Sequence, residues 1–215
     1  MTLFDLFDDR KEYTIRFLTK MLGTVPYDKD LYATWIADKS PNLEEELETI
    51  EDREEKGWTG FHKDDKGVFI YEYMIKGFLK SAIETLQEAG KIHKIPAYKK
   101  WVDRLTHIGP RRIYFGVDAP DGTINPNDPK NVNGPLERPL RTAGPKGERV
   151  TLTRSDFMNA GRELTFSIGL LRNSKGLDWV AIDSCFDLFG QHIGLGQWRG
   201  SGGYGRFETI NAKRL

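Results

Sequence analysis

The stretch Val68-Phe-Ile-Tyr-Glu-Tyr-Met-Ile-Lys-Gly-Phe-Leu-Lys-Ser-Ala-Ile-Glu-Thr-Leu-Gln-Glu88 changes its periodicity partway along, and that change sets the fold class. Its first four residues are β-branched or aromatic, the composition of a short strand. From Glu72 the apolar residues Met74, Ile75, Phe78, Leu79, Ala82, Ile83 and Leu86 recur at three- and four-residue spacing, which predicts a helix over 72–88 with one broad apolar face. A strand running straight into an amphipathic helix means that sheet and helix share a core, so the expected class is α+β.

Further elements are legible on both sides. Upstream, Tyr13, Ile15 and Phe17 alternate within a strand expected over 12–22, ended by Gly23 and Pro26. Residues 28–39 carry Leu31, Trp35 and Ile36 at helical spacing, and Ser40-Pro41 stops that helix. Residues 58–67 read as a turn-rich loop. Downstream, a helix is expected over 97–105 and strands over 111–115, 148–152 and 163–171, the last alternating Leu164, Phe166, Ile168 and Leu170. A helix within 177–193 and a strand around 206–210 complete the order.

The chain has 215 residues, enough for one sizeable core, and is read as a single domain over 1–215. Two excursions interrupt it: an acidic one at about 42–57 and a Pro/Gly/Asn-rich loop at about 118–135, read as an outlying loop. The acidic segment holds eight carboxylates between Glu44 and Glu55. Its ordinary reading is a solvated helix or arm outside the core; the sharper one is that it mimics nucleic acid or covers a basic groove.

Formal charge is zero, from 32 basic and 32 acidic residues, which excludes a polycation that sticks indiscriminately to nucleic acid. Basic residues nevertheless gather locally, as Lys94, Lys99, Lys100, Arg104, Arg111 and Arg112. Cys185 is the single cysteine, so an intramolecular disulfide framework and a cysteine-rich zinc site are excluded. No apolar run is long enough to span a bilayer, and the acidic N-terminal segment is unlike a signal peptide, so a cytoplasmic protein without membrane contact is expected.

Six glycines fall in Gly194-Leu-Gly-Gln-Trp-Arg-Gly-Ser-Gly-Gly-Tyr-Gly205, namely Gly194, Gly196, Gly200, Gly202, Gly203 and Gly205. Residues 200–205 match G-x-G-x-x-G, but a dinucleotide site needs a strand before that turn and a helix after it; here the order is reversed. No P-loop pattern occurs. The remaining binding reading is a loop whose amides, with Trp198, Arg199, Tyr204 and Arg206, receive phosphates and stack on bases; the alternative is a helix-to-strand connection in which Trp198 covers the core. The four histidines lack metal-ligand spacing, no G-x-S-x-G elbow surrounds Ser201, and acidic pairs such as Asp28 with Asp30 are ordinary turn residues. No catalytic residue, metal or cofactor is assigned, and an enzyme is not the favoured reading.

Two segments together resemble the RAMP superfamily, the RNA-binding subunits of CRISPR effector complexes. Residues 70–82 are similar to that family's strand-to-helix motif centred on Lys76-Gly77, with a basic residue, Lys80, three positions after the glycine. Residues 193–207 look like its C-terminal glycine-rich loop, ending in Gly-Tyr-Gly-Arg before a strand. The segments at 21–26, 57–61 and 136–140 also resemble small stand-alone proteins encoded by bacteriophages and prophages. The chain is shorter than the large backbone subunits of those complexes.

The resemblance implies a ferredoxin-like (RRM/RAMP-type) antiparallel sheet with helices on one face and long loop insertions. It also implies that Lys76 and Lys80, at the start of a helix and helped by its N-terminus, bind RNA phosphates while residues 196–205 clamp the backbone. With Arg111 and Arg112 added from the basic stretch, the expected function is non-catalytic binding of single-stranded RNA or a ribonucleoprotein in a bacterial host cell. Two alternatives stand beside it: an interaction module that mimics or inhibits a host defence complex through residues 44–55, and a phage structural or assembly subunit.

Overall fold

The computed structural model describes residues 7, 9–36, 42–51, 57–116, 132–144, 147–172 and 175–215. The first strand, β1 (Asp9–Phe17), turns Tyr13, Ile15 and Phe17 to the core and Thr14 and Arg16 to the other face. The following insertion contains β2 (Met21–Leu22), β3 (Val25–Pro26), α1 (Lys29–Ile36), α2 (Leu43–Glu48) and β4 (Trp58–Gly60). Next come β5 (His62–Asp64), β6 (Gly67–Tyr71), α3 (Glu72–Glu88), α4 (Tyr98–Leu105), β7 (Thr106–Gly109) and β8 (Arg112–Gly116). A long hairpin of β9 (Asn133–Gly144) and β10 (Gly147–Met158) precedes β11 (Glu163–Leu170), α5 (Trp179–Phe189) and β12 (Phe207–Arg214).

The main sheet runs β12-β1-β11-β8-β6-β5, with β7 also on β11. Four adjacent positions from one edge, β12, β1, β11 and β7/β8, with α3 and α5 as the two crossovers, form a split β-α-β: the fold is ferredoxin-like α+β with every neighbouring pair in this sheet antiparallel. Register follows burial, since Tyr13 faces Phe166 and Phe17 faces Phe207, and a one-residue slip would expose all of them. On the covered face α3 buries Ile75, Phe78, Leu79, Ala82, Ile83 and Leu86, while α5 buries Ala181, Ile182, Cys185, Phe186 and Phe189. The Phe186 ring lies 4.6 Å from Tyr13 and 5.4 Å from Phe78, joining both helices to β1. Each such aromatic contributes about 1.5–3 kcal/mol of burial.

The second sheet, β2-β10-β4-β3 with β9 on β10, packs a smaller cluster of Val25, Tyr27, Tyr32, Ile36 and Ile50. Asp156 on β10 is buried and accepts from the Tyr27 hydroxyl at 2.5 Å and the Trp58 indole at 2.9 Å, which ties the inserted elements together.

The helix expected over 72–88 coincides with α3. Three expectations change. The strand expected over 12–22 ends at Phe17, because the Leu18 and Thr19 amides both turn to the Arg206 carbonyl and Met21–Leu22 then joins the other sheet. The loop expected over 58–67 contains β4, held by pairing with distant β10, and β5, which forms a tight hairpin with β6 closed by Asp64, whose Oδ1 accepts from the Lys66 and Gly67 amides. The outlying loop expected to reach residue 135 gives way to β9 from Asn133; residues 117–131 lie outside the described residues.

Candidate functional site

Helical periodicity puts Tyr73, Gly77 and Lys80 on one stripe of α3, with Lys76 beside it. This stripe faces the glycine-rich loop across a cleft of about 700 Å³ lined by Thr24, Tyr73, Met74, Lys76, Gly77, Lys80, Asp103, Leu195, Gly196 and Arg199. Lys80 pairs with Asp103 on α4 at 2.6 Å. Among the described residues, neither Lys76 nor Arg199 has a carboxylate within ion-pair distance. Among the described residues Arg199 reaches only the Ser81 hydroxyl, at 3.4 Å, and burial holds its guanidinium below the ordinary value without discharging it. The cleft therefore presents three cations and one carboxylate.

A methyl group built on Gly77 meets nothing within 4 Å. This glycine, in the interior of α3, does not allow a tight helix-sheet contact; it opens the cleft floor. Glycine in a helix interior costs about 0.5–1 kcal/mol relative to alanine, and here no internal packing offsets it.

The loop side is rigid for identifiable reasons. The Leu195 amide donates to the Gly205 carbonyl at 2.8 Å, and the Gly205 amide to the Lys20 carbonyl at 2.8 Å. Gly205 has φ of 66° and Gly196 φ of 88°; a Cβ on the first would strike the Leu195 carbonyl, and on the second the Leu22 carbonyl. The Gln197, Gly200 and Gly203 amides donate to the carbonyls of Leu22, Ile193 and Gly200. With these five amides already donating to protein, the expected cradle of backbone N–H groups is reduced, and the loop offers its shape and the charge of Arg199 instead.

Trp198 and Tyr204 lie away from the cleft. The Arg138 guanidinium, from β9, is 4.7 Å from the Trp198 ring centroid and 4.8 Å from that of Tyr204, so an internal cation contacts both rings expected to stack on bases. Gly202 lies against Trp198, Gly194 against Gly205, and Gly200 in open space; Gly203 is close to the Arg206 side chain, which is exposed at the loop exit. Arg138 was not among the expected site residues, and no local pattern distinguishes it within Arg138-Pro-Leu-Arg141. Tyr73, which lines the cleft, was not expected there either, although its place one helical turn before Gly77 could have shown it.

Arg111 and Arg112 are not brought to the cleft. Arg111 bridges Glu45 at 3.2 Å and Glu46 at 2.9 Å, while Arg112 bridges Glu45 and, at 2.7 Å, Asp64. Their charges are met inside the protein by part of the acidic segment, whose residues 42–51 pack with Glu46 fully buried. Glu46 also accepts from the Tyr32 hydroxyl at 2.7 Å, and His62 sits between the Tyr32 and Thr49 hydroxyls at 3.2 and 2.9 Å. Burial, with the Arg112 charge nearby, pushes the His62 imidazole down to about 3.

The helix N-terminus contributes less than expected. Glu72 occupies the first turn of α3, with Lys76 and Lys80 four and eight residues further on, whereas the dipole acts mainly within the first turn. Among the described residues no group of three or more His, Cys, Asp or Glu side chains is arranged so that it could hold a metal ion, and no helix is long and apolar enough to cross a membrane.

No family model matches this chain, and no curated protein matches it. Among solved structures it is similar to a chain in the cryo-EM structure of the Type III-B Cmr-beta complex bound to cognate target RNA. The TM-score is 0.48 and the identity 19%, covering 99% of this chain and 62% of that one. A chain of a Type IV-B CRISPR complex is similar with TM-score 0.42 and 14% identity, covering 96% of this chain and 90% of the other. The chain thus spans 62% of the length of the first of these.

Proposed function

We propose that the protein binds single-stranded RNA, free or within a ribonucleoprotein, along the cleft between α3 and the glycine-rich loop, as a RAMP-like protein of phage type that performs no cleavage. The observation that carries this reading is the convergence of Lys76, Lys80 and Arg199 around Gly77, a helical glycine facing open space. Phosphates need cations, and among the described residues two of the three, Lys76 and Arg199, have no carboxylate within ion-pair distance while Lys80 would exchange Asp103 for a phosphate; a backbone also needs a floor without side chains. The motif resemblance at 70–82 and 193–207 supports RNA over other polyanions. Of the acidic pair Asp28 and Asp30, Asp28 is committed to capping α1, its Oδ1 accepting from the Leu31 amide at 2.9 Å.

An electrophoretic shift assay at low salt tests the proposal. Wild type retards a single-stranded RNA, and Lys76→Glu with Arg199→Glu abolishes the shift while thermal unfolding shows a folded protein. Three cations on phosphates give a slope of log K against log salt of about −2, at about 0.7 per contact. Absence of any RNA affinity at low salt overturns the proposal.

A further inference from the structure

Asp103, on the rim of the cleft, belongs to α4, and the rest of that helix's solvent side is basic. Lys99, Lys100 and Arg104 are exposed there. Lys99 pairs with Glu84 at 3.3 Å. Among the described residues, Lys100 and Arg104 have no carboxylate within ion-pair distance, although Asp103 lies between them in sequence. Like charges four residues apart repel on a helix face, and an eight-residue helix has little intrinsic stability to spend on them. An anion bound from outside would relieve that repulsion.

A second feature of the same face points to the kind of anion. Trp101 is half-buried and oriented by its indole N–H, which donates to the Pro96 carbonyl at 3.0 Å. The Lys100 ammonium lies 5.0 Å and the Lys175 ammonium 5.3 Å from its ring centroid. Unlike the guanidinium over Trp198 and Tyr204, these ammonium groups sit on flexible lysine stems, and a single strand suits them: its phosphates draw the ammonium groups off the ring face, which then takes a base. The groove at the N-terminal end of α4, about 460 Å³, carries Glu84 and Glu88 against Lys94 and suits a polyanion poorly.

We infer that α4 is a second contact for the strand, which leaves the cleft past Asp103 and crosses Lys100, Arg104 and Trp101. This inference rests on the cleft reading above and assigns that site its length: a strand longer than the cleft itself holds.

Fluorescence anisotropy with labelled oligouridylates of about four and about twelve nucleotides, within the usual span of single-strand sites, separates the two claims. The double variant Lys100→Gln/Arg104→Gln is expected to leave short-oligonucleotide affinity unchanged. It reduces the salt slope for the long one by about 1.4, two contacts at about 0.7 each. Quenching of Trp101 emission, identified by its loss in Trp101→Phe, accompanies binding of the long oligonucleotide only. If the short oligonucleotide binds but the variant leaves the long one's slope unchanged, the α4 contact is wrong and the cleft stands. If neither oligonucleotide binds wild type, both fall.

Discussion

Gly77 separates stability from binding at a single residue. Because its missing side chain would meet open space, Gly77→Ala is expected to stabilise the protein by about 0.5–1 kcal/mol. The same methyl group stands on the cleft floor, so RNA affinity should fall; urea unfolding and a binding titration on one preparation measure both. His62 behaves differently because it is buried as a neutral ring. Its folded-state value is depressed, so the unfolded chain binds more protons between the unfolded value, about 6.5, and the folded value of about 3. Stability is therefore full at neutral pH and declines as pH falls through that window. The decline begins above the range in which Glu45 and Asp64, both held below their usual values, add their own loss. His62→Gln is expected to flatten the upper part of a melting-temperature profile. Arg111 is a third residue whose worth is internal: Arg111→Ala leaves the Glu46 carboxylate buried without its cation, a change that costs about 3–5 kcal/mol. Chemical denaturation should show that loss, and the folded fraction should retain its RNA affinity.

At the scale of elements, the glycine-rich loop and the β9–β10 hairpin act together through Arg138. Two cation-π contacts of about 0.5–2 kcal/mol each bind them. Arg138→Ala is expected to destabilise by about that sum at most, with a red shift of Trp198 emission and new protease sensitivity in residues 196–206. An unchanged emission spectrum would argue against the contact. Elements with strong internal periodicity were legible in the sequence: α3, α4 and β11 appear essentially where the apolar spacing puts them. The short strands β4, β5 and β7 were not, because three or four residues carry too little pattern, and the pairing of β4 and β7 comes from distant strands. The candidate site divides the same way. Lys76, Lys80 and Arg199 were found from sequence, whereas Arg138 was hidden because its partners lie 60 or more residues away. Arg111 and Arg112 looked available only because nothing local shows that Glu45, Glu46 and Asp64 fold onto them.

Across the whole molecule, a formal charge of zero coexists with a locally positive cleft because the carboxylates nearest Arg111 and Arg112 face those arginines. With few phosphate contacts and no net attraction, the proposed binding should show modest salt sensitivity: at a slope of about −2, raising salt fourfold should cost the cleft roughly fifteenfold in affinity, far less than a protein making many phosphate contacts loses. The site also depends on two ends of the chain meeting. The loop is fixed by the Gly205 amide on the Lys20 carbonyl and by β12 lying along β1, nearly 200 residues earlier in sequence. The strand at 207–214 must therefore have left the ribosome before the cleft can form, so the order of synthesis places the proposed site among the last features of this fold to assemble.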